Sequence, residues 1–194
     1  MRILIVLANP KADSFNAAVC AALGEGLQAA GHEIDVADLN SEEFNPVLLG
    51  PELDKFGTGP PLDDVVRYQQ RILGADALAF IFPVWWFGLP AILKGFVDRV
   101  FQEGFAFRFT ENGKVQGLLS HHKALVIGTA GASATAYRLF RFGRPLERTF
   151  GQWTLKMCGI RAVRYVLLYD VDNIDDAARA RYLKKVRQLG FRYF

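Results

Sequence analysis

Phe82-Pro83-Val84-Trp85-Trp86-Phe87-Gly88-Leu89-Pro90-Ala91-Ile92-Leu93-Lys94-Gly95 is the stretch on which the fold turns. The apolar run Asp76–Phe82 leads into it and reads as a buried strand. Leu93, Phe96, Val97, Val100 and Phe101 follow at i, i+3, i+4, i+7 and i+8, the spacing of one apolar helix face. Pro90 suits the first turn of that helix, where a missing N–H costs nothing. The segment is therefore a strand-to-helix junction with aromatics at the strand's carboxyl end. In an open α/β sheet ligands bind at that end. So much flat apolar surface there predicts a flat, multi-ring ligand to cover it.

Outward from the junction, strand and helix patterns alternate. Ile3–Ala8 is a continuous apolar run, as expected of a parallel strand covered on both faces. Glu33–Asp38, Lys123–Thr129 and Ala162–Tyr169 supply the second, fourth and fifth strands. Ser14 is placed to cap a helix with apolar positions Phe15, Val19, Ala22, Leu23, Gly26 and Ala30. Val65, Val66, Gln69, Ile72 and Leu73 mark a short second helix, and Ile174–Leu189 a closing one. Asn40 to Asp63 is rich in Pro and Gly and reads as a long loop, functional by its length. The alternation predicts a single α/β domain over residues 1–194, a doubly wound five-stranded parallel sheet with helices on both faces. Ligand-type loops after strands one, three and four favour the order 2-1-3-4-5, which makes those strands neighbours.

At 194 residues the chain is long enough for a core that needs no staples. Hydrophobic residues at 51% and charged ones at 22% suit a protein that buries a sheet on both faces. The net charge of +3 comes without a dense basic stripe or a lysine run, so neither nucleic acid nor a membrane surface is an expected partner. Asn9-Pro10-Lys11 stops the opening apolar run too early for a signal peptide or a membrane span. Cys20 and Cys158, far apart in helical patterns and in no metal spacing, read as small buried hydrophobes of a reducing, cytoplasmic compartment.

Three loops carry chemistry. Asn9-Pro10-Lys11-Ala12-Asp13-Ser14-Phe15-Asn16 joins strand one to a helix start, where free N–H groups and the macrodipole favour a phosphate. Strand four ends in Thr129-Ala130-Gly131-Ala132-Ser133-Ala134-Thr135-Ala136-Tyr137. Small residues there let a ligand approach the backbone, whose N–H groups stabilise negative charge. Gly131-Ala132-Ser133-Ala134-Thr135 is short of a nucleophile elbow by its last glycine, and His32, His121 and His122 all precede Ser133, the wrong order for a hydrolase. Gly24-Glu25-Gly26-Leu27-Gln28-Ala29 matches a dinucleotide fingerprint only as a string, because it lies inside the first helix. His121-His122 reads as a solvated pair on a surface turn, not a metal site. Arg138, Arg141, Arg144 and Arg148 read first as a charged face or interface rim. A sharper reading is a guanidinium set at the site mouth for the phosphates of a nicotinamide nucleotide.

On these residues the chain resembles the flavodoxin-like NAD(P)H:quinone oxidoreductases, the group of DT-diaphorase and the bacterial modulator of drug activity B. The resemblance runs nearly end to end. Its specific segments are Asn9–Asn16, Phe82–Phe101 with Trp86-Phe87-Gly88 and Pro90-Ala91-Ile92-Leu93-Lys94-Gly95, Gly104-Phe105-Ala106, and Thr129–Tyr137. It implies a flavodoxin-like sheet and a homodimer with one flavin per subunit, FAD or alternatively FMN. NAD(P)H is the implied reductant and a quinone or similar electrophile the acceptor. By similarity, Asn9, Ser14, Phe15 and Asn16 hold the cofactor's phosphate region, and Pro83, Val84, Trp85, Trp86 and Phe87 line one side of its ring. Thr129, Ala130, Gly131 and Ala132 bond the ring's polar edge through the backbone, and Tyr137 sits beside it. Arg179 matches the arginine that meets the adenylate phosphate in FAD-binding members. Catalytic roles fall to the Tyr137 hydroxyl and the Gly131 backbone.

The chain also departs from the family pattern. The histidine six residues after the tyrosine is Gly143 here, the first-loop histidine is Asn9, and a strand-three glutamine is Trp85. Losing a proton-transfer group costs on the order of 10²–10⁴ in rate unless something replaces it. Backbone groups, Tyr137 or a nearby arginine then carry more of the charge. Two rival readings use the same fold. One is a flavin-binding ancillary subunit docked on a potassium-efflux system. The other is a one-electron carrier, which the positive charge disfavours because such carriers present an acidic docking face.

Overall fold

The computed structural model describes residues 1–194, the side-chain surroundings of Gly143 excepted. The first half runs β1 (Arg2–Leu7), α1 (Phe15–Ala29), β2 (Glu33–Asp38), α2 (Gly50–Leu53), α3 (Asp63–Leu73), β3 (Ala77–Pro83) and α4 (Ala91–Val100). The second half runs β4 (Phe107–Phe109), β5 (Val115–Gly117), β6 (Lys123–Ala130), α5 (Ala134–Leu139), α6 (Gly143–Leu146), a π-helical stretch Glu147–Leu155, β7 (Ala162–Tyr169) and α7 (Asp176–Tyr193). Five parallel strands pair in the order β2-β1-β3-β6-β7. Counted along the sheet's own strands this is the expected 2-1-3-4-5. A two-stranded antiparallel hairpin, β4-β5, stands apart from the sheet.

Alternation along the strands builds a core on each face. Leu4, Val6 and Ala8 face α3, α4 and the π-helical stretch, while Ile3, Ile5 and Leu7 face α1 and α7. All of β3 is buried, the signature of a central parallel strand. Gly26 and Gly190 let α1 and α7 touch: a Cβ on Gly26 would stand 2.1 Å from the Arg187 carbonyl oxygen. That contact accounts for the glycine that mimics a dinucleotide fingerprint.

The segment from Asn40 to Asp63 is a strap packed on α4. It includes the single turn α2, and among the described residues none of the segment lines the cleft described below. Arg99, only 2% exposed, holds it down. Its Nε donates to both carboxylate oxygens of Glu52 at 3.0 Å, and its Nη1 donates to the Asn45 carbonyl at 2.6 Å and to Asp64 at 2.7 Å. Gly95 lets the strap approach, since a Cβ there would lie 2.1 Å from the Pro46 carbonyl oxygen.

Several local expectations change. Pro90 is the residue before α4, not within it, and α7 extends to Tyr193 from a cap at Asp175. Cys158 lies in the turn that follows the helical segment. The histidine pair splits: His122 is exposed, but His121 is buried, and its Nε2–H donates to the Ile72 carbonyl at 2.9 Å. That carbonyl, at the end of α3, also accepts from the Ala75 N–H at 3.1 Å, so the ring adds a second donor to it.

Two predictions follow from these buried polar groups. Arg99→Ala leaves Glu52 buried without its cation and is expected to cost about 3–5 kcal/mol, read from urea unfolding. Burial lowers the pKa of His121 from 6.5, so the unfolded chain takes up a proton where the folded ring stays neutral. Stability is therefore full above about 6.5 and falls as pH descends from there to the folded value. His121→Gln is expected to flatten the slope of unfolding free energy against pH in that window.

Candidate functional site

The carboxyl ends of β1, β3 and β6 open into a cleft of about 900 Å³. Asn16, 2% exposed, is its keystone. Its Oδ1 accepts from Asn9 Nδ2 at 2.9 Å and from Thr129 Oγ1 at 3.2 Å. The Thr129 carbonyl in turn accepts from the Val84 N–H at 2.8 Å. These bonds fix the amide's orientation and leave Asn16 Nδ2 buried without a partner. An unmet buried donor costs about 1–3 kcal/mol, which a ligand oxygen would recover. Ser14 caps α1 by accepting from the Ala17 N–H at 3.2 Å. The N–H groups of Phe15 and Asn16 precede any intrahelical acceptor and are free for a phosphate.

The aromatic turn forms the opposite wall. Trp85 accepts from the Gly88 N–H at 2.9 Å, and the two residues between have φ of 49° (Trp86) and 61° (Phe87). Such hairpin turns prefer Asn-Gly, and holding an L-residue there costs about 1–3 kcal/mol. Trp86 is nevertheless 96% exposed. Packing does not account for a strained backbone that displays an indole to solvent.

Two further groups close the cleft. A Cβ on Gly131 would lie 2.3 Å from Asp172 Oδ2, so the missing side chain makes room for that carboxylate. The Arg179 guanidinium stands 5.7 Å over the Phe15 ring, a cation–π arrangement. The cleft thus gathers Asn9, Ser14, Phe15, Asn16, Pro83, Val84, Trp85, Trp86, Thr129, Gly131 and Arg179.

Phe87, Ala130, Ala132 and Tyr137 lie outside this lining. The left-handed turn sets the Phe87 ring 4.4 Å from that of Phe142. The carbonyls of Ala130 and Ala132 accept from the Val171 and Asp170 N–H groups. Tyr137 packs at 5.2 Å on Tyr169 of the edge strand and lines a neighbouring cavity. Burial raises its pKa, so its hydroxyl keeps its proton. Pro10, Lys11 and Asp13 of the expected first loop also line the cleft, as do Val171 and Asp172, which the sequence reading did not name. For Val171 and Asp172 the available signal is their place just past the carboxyl end of β7.

A family model described as the flavodoxin-like fold matches residues 1–189. An uncharacterized NAD(P)H oxidoreductase of Haemophilus influenzae is 34% identical, covering 97% of this chain and 93% of its own. NAD(P)H dehydrogenase (quinone) 1 of Cavia porcellus is 32% identical over 94% of this chain and 73% of its own. The solved NAD(P)H:quinone oxidoreductase of Methanothermobacter marburgensis superposes with a TM-score of 0.90 at 31% identity, over 100% of this chain and 96% of that one.

The chain belongs to the flavodoxin-like NAD(P)H:quinone oxidoreductase family.

The departures from the family pattern now have places. Asn9 spends its amide on Asn16, and its Oδ1 accepts from the Lys11 N–H. Trp85 lines the cleft half-exposed. Gly143 lies outside the described surroundings. Among the described residues no helix is long and apolar enough to cross a membrane. Among the described residues no cluster of ligating side chains could hold a metal. Trp86→Gly removes an exposed side chain and accepts the left-handed φ, so the melting temperature is expected to hold. Flavin affinity, followed by fluorescence titration, is expected to weaken about 2- to 12-fold, the loss of one aromatic contact.

Proposed function

We propose that this chain is a flavin-dependent NAD(P)H:quinone oxidoreductase that binds FAD in the cleft and acts as a homodimer in the cytoplasm. The observation that carries the reading is the union, in one cleft, of a phosphate-ready helix start with a strained, exposed aromatic turn. The names of the relatives support the same reaction. A flavin held there would supply the two-electron redox chemistry between NAD(P)H and a quinone.

The protein's share is orientation and electrostatics. Asn16 Nδ2 and the first N–H groups of α1 hold a phosphate, and Val84, Trp85 and Trp86 supply a flat apolar wall that excludes water and fixes the ring. The Gly131 N–H and the protonated Tyr137 hydroxyl are assigned to stabilising negative charge. Arg179, held over Phe15 away from the aromatic turn, favours FAD, whose second phosphate it would meet. Exposed Trp86, Leu139, Phe140 and Trp153 support a second copy covering this face. Two free, buried cysteines suit a reducing compartment.

The purified protein is expected to be yellow, to release FAD on denaturation, and to lose its visible absorbance within the mixing experiment when NADH or NADPH is added anaerobically. Initial rates against a quinone should give parallel double-reciprocal lines. A colourless protein that binds neither FAD nor FMN would end this reading.

A further inference from the structure

Beside the cofactor cleft lies a second cavity of about 500 Å³, against the edge strand β7. Gly128 is the partition between the two. A Cβ there would sit 3.0 Å from Cγ2 of Val84, which lines the cleft, and 2.8 Å from Cδ2 of Leu167, which lines the second cavity. The Tyr165 hydroxyl, on the same side, is 3.6 Å from that point.

The second cavity is cationic. Arg138, Arg141 and Arg144 line it against a single carboxylate, Glu147. Among the described residues none of these guanidinium groups enters an ion pair. Elsewhere the chain pairs its inner arginines twice over, Arg71 with Asp35 and Glu42, Arg99 with Glu52 and Asp64. Three tyrosines share the cavity, and the Tyr165 hydroxyl is buried without a partner. Burial raises the pKa of Tyr137, Tyr165 and Tyr169, so all three offer donors.

The arginines are also held in register with the cleft. Phe142 packs on Phe87 of the aromatic turn at 4.4 Å and stacks on Phe140 at 5.2 Å. Arg141 keeps a φ of 56°, a conformation that L side chains rarely adopt. These contacts tie the segment to the aromatic turn while its three exposed guanidinium groups face the cavity without a carboxylate partner in an ion pair.

We propose that this cavity is an anion subsite, taking a phosphate or sulfonate group of a planar substrate whose ring enters the adjoining cleft. The proposal rests on the oxidoreductase reading of that cleft. Guanidinium forks match such oxyanions in charge and geometry. The group has two sources, the 2′-phosphate of NADPH or an acidic substituent on the electron acceptor.

The test uses Arg138→Gln and Arg144→Gln, both at exposed positions, in the two half-reactions measured separately. NADPH is compared with NADH, and 1,2-naphthoquinone-4-sulfonate with 1,2-naphthoquinone. We expect kcat/KM to fall about tenfold or more for the member of one pair that carries the extra anion, with its counterpart changed less than about twofold. Arg144→Lys, which keeps the charge and loses the fork, should recover part of the loss. Selective loss with NADPH assigns the nucleotide, and selective loss with the sulfonate assigns the acceptor. Equal losses with all substrates, or none, overturn the subsite. A second readout does not depend on turnover: calorimetric titration of the purified protein with 2′,5′-ADP and with naphthalene-1-sulfonate. Binding of one probe that weakens in Arg144→Gln supports the proposal, and binding of neither overturns it. A protein that takes up no flavin fails the oxidoreductase reading, while the titration still decides the subsite.

Discussion

One amide organises the working end of this molecule. Asn16 is contributed by α1, yet its Oδ1 is held by Asn9 from the loop after β1 and by Thr129 from the end of β6. Through the Thr129 carbonyl the same knot reaches Val84 beyond β3. The exits of three adjacent strands and the head of a helix are thus fixed relative to one another by a few hydrogen bonds. A side chain buried this deeply is tolerated only when its polar atoms are met. Here the acceptor is doubly satisfied and the donor is not. The knot therefore serves the fold with one atom and is left ready for a ligand with the other.

The costs in this structure are not spread evenly. Among the described residues, Trp86, Phe87, Arg141 and Asp170 are four of the five non-glycine residues with positive φ. All follow carboxyl ends of the sheet's strands, in the turn after β3, the segment after β6 or the exit from β7. Natural chains break local rules mainly where function requires it. The compensation lies deeper, in a β3 strand buried at every residue and in apolar layers on both faces of the sheet. A rigid lower half lets the upper rim hold conformations that a marginal domain could not.

The strands and their order were legible because parallel strands covered on both faces write themselves as unbroken apolar runs. The first loop and the aromatic turn were legible because strand exits in such sheets are where ligands sit. What escaped was non-local or aperiodic. Nothing near His121 announces that Ile72, far away in the chain, will present a carbonyl to it. Nothing near Arg99 in the sequence announces that Glu52 of the strap and Asp64 of α3 will close over it. The stretch Glu147–Leu155 winds in π-helical turns, which erases the 3.6-residue pattern a helix is recognised by. Phe87 sits within the legible motif yet lies outside the cleft lining, because a left-handed backbone reverses the direction that residue spacing predicts.

Charge at the cleft is managed without imidazole. His32 immediately precedes β2, and His121 and His122 immediately precede β6, so all three lie at the amino ends of the strands. Histidine is the side chain whose ordinary titration falls between pH 5 and 8, and here every histidine stands at the far end of the sheet from the cleft. The tyrosines beside the cleft are shifted upward by burial and keep their protons through the same range. Arginine holds its charge throughout. The tyrosine donors beside the cleft therefore stay protonated across this range. Acid acts on this chain through the stability of its amino-end layer, where His121 must stay neutral, and not by switching an imidazole at the site of chemistry.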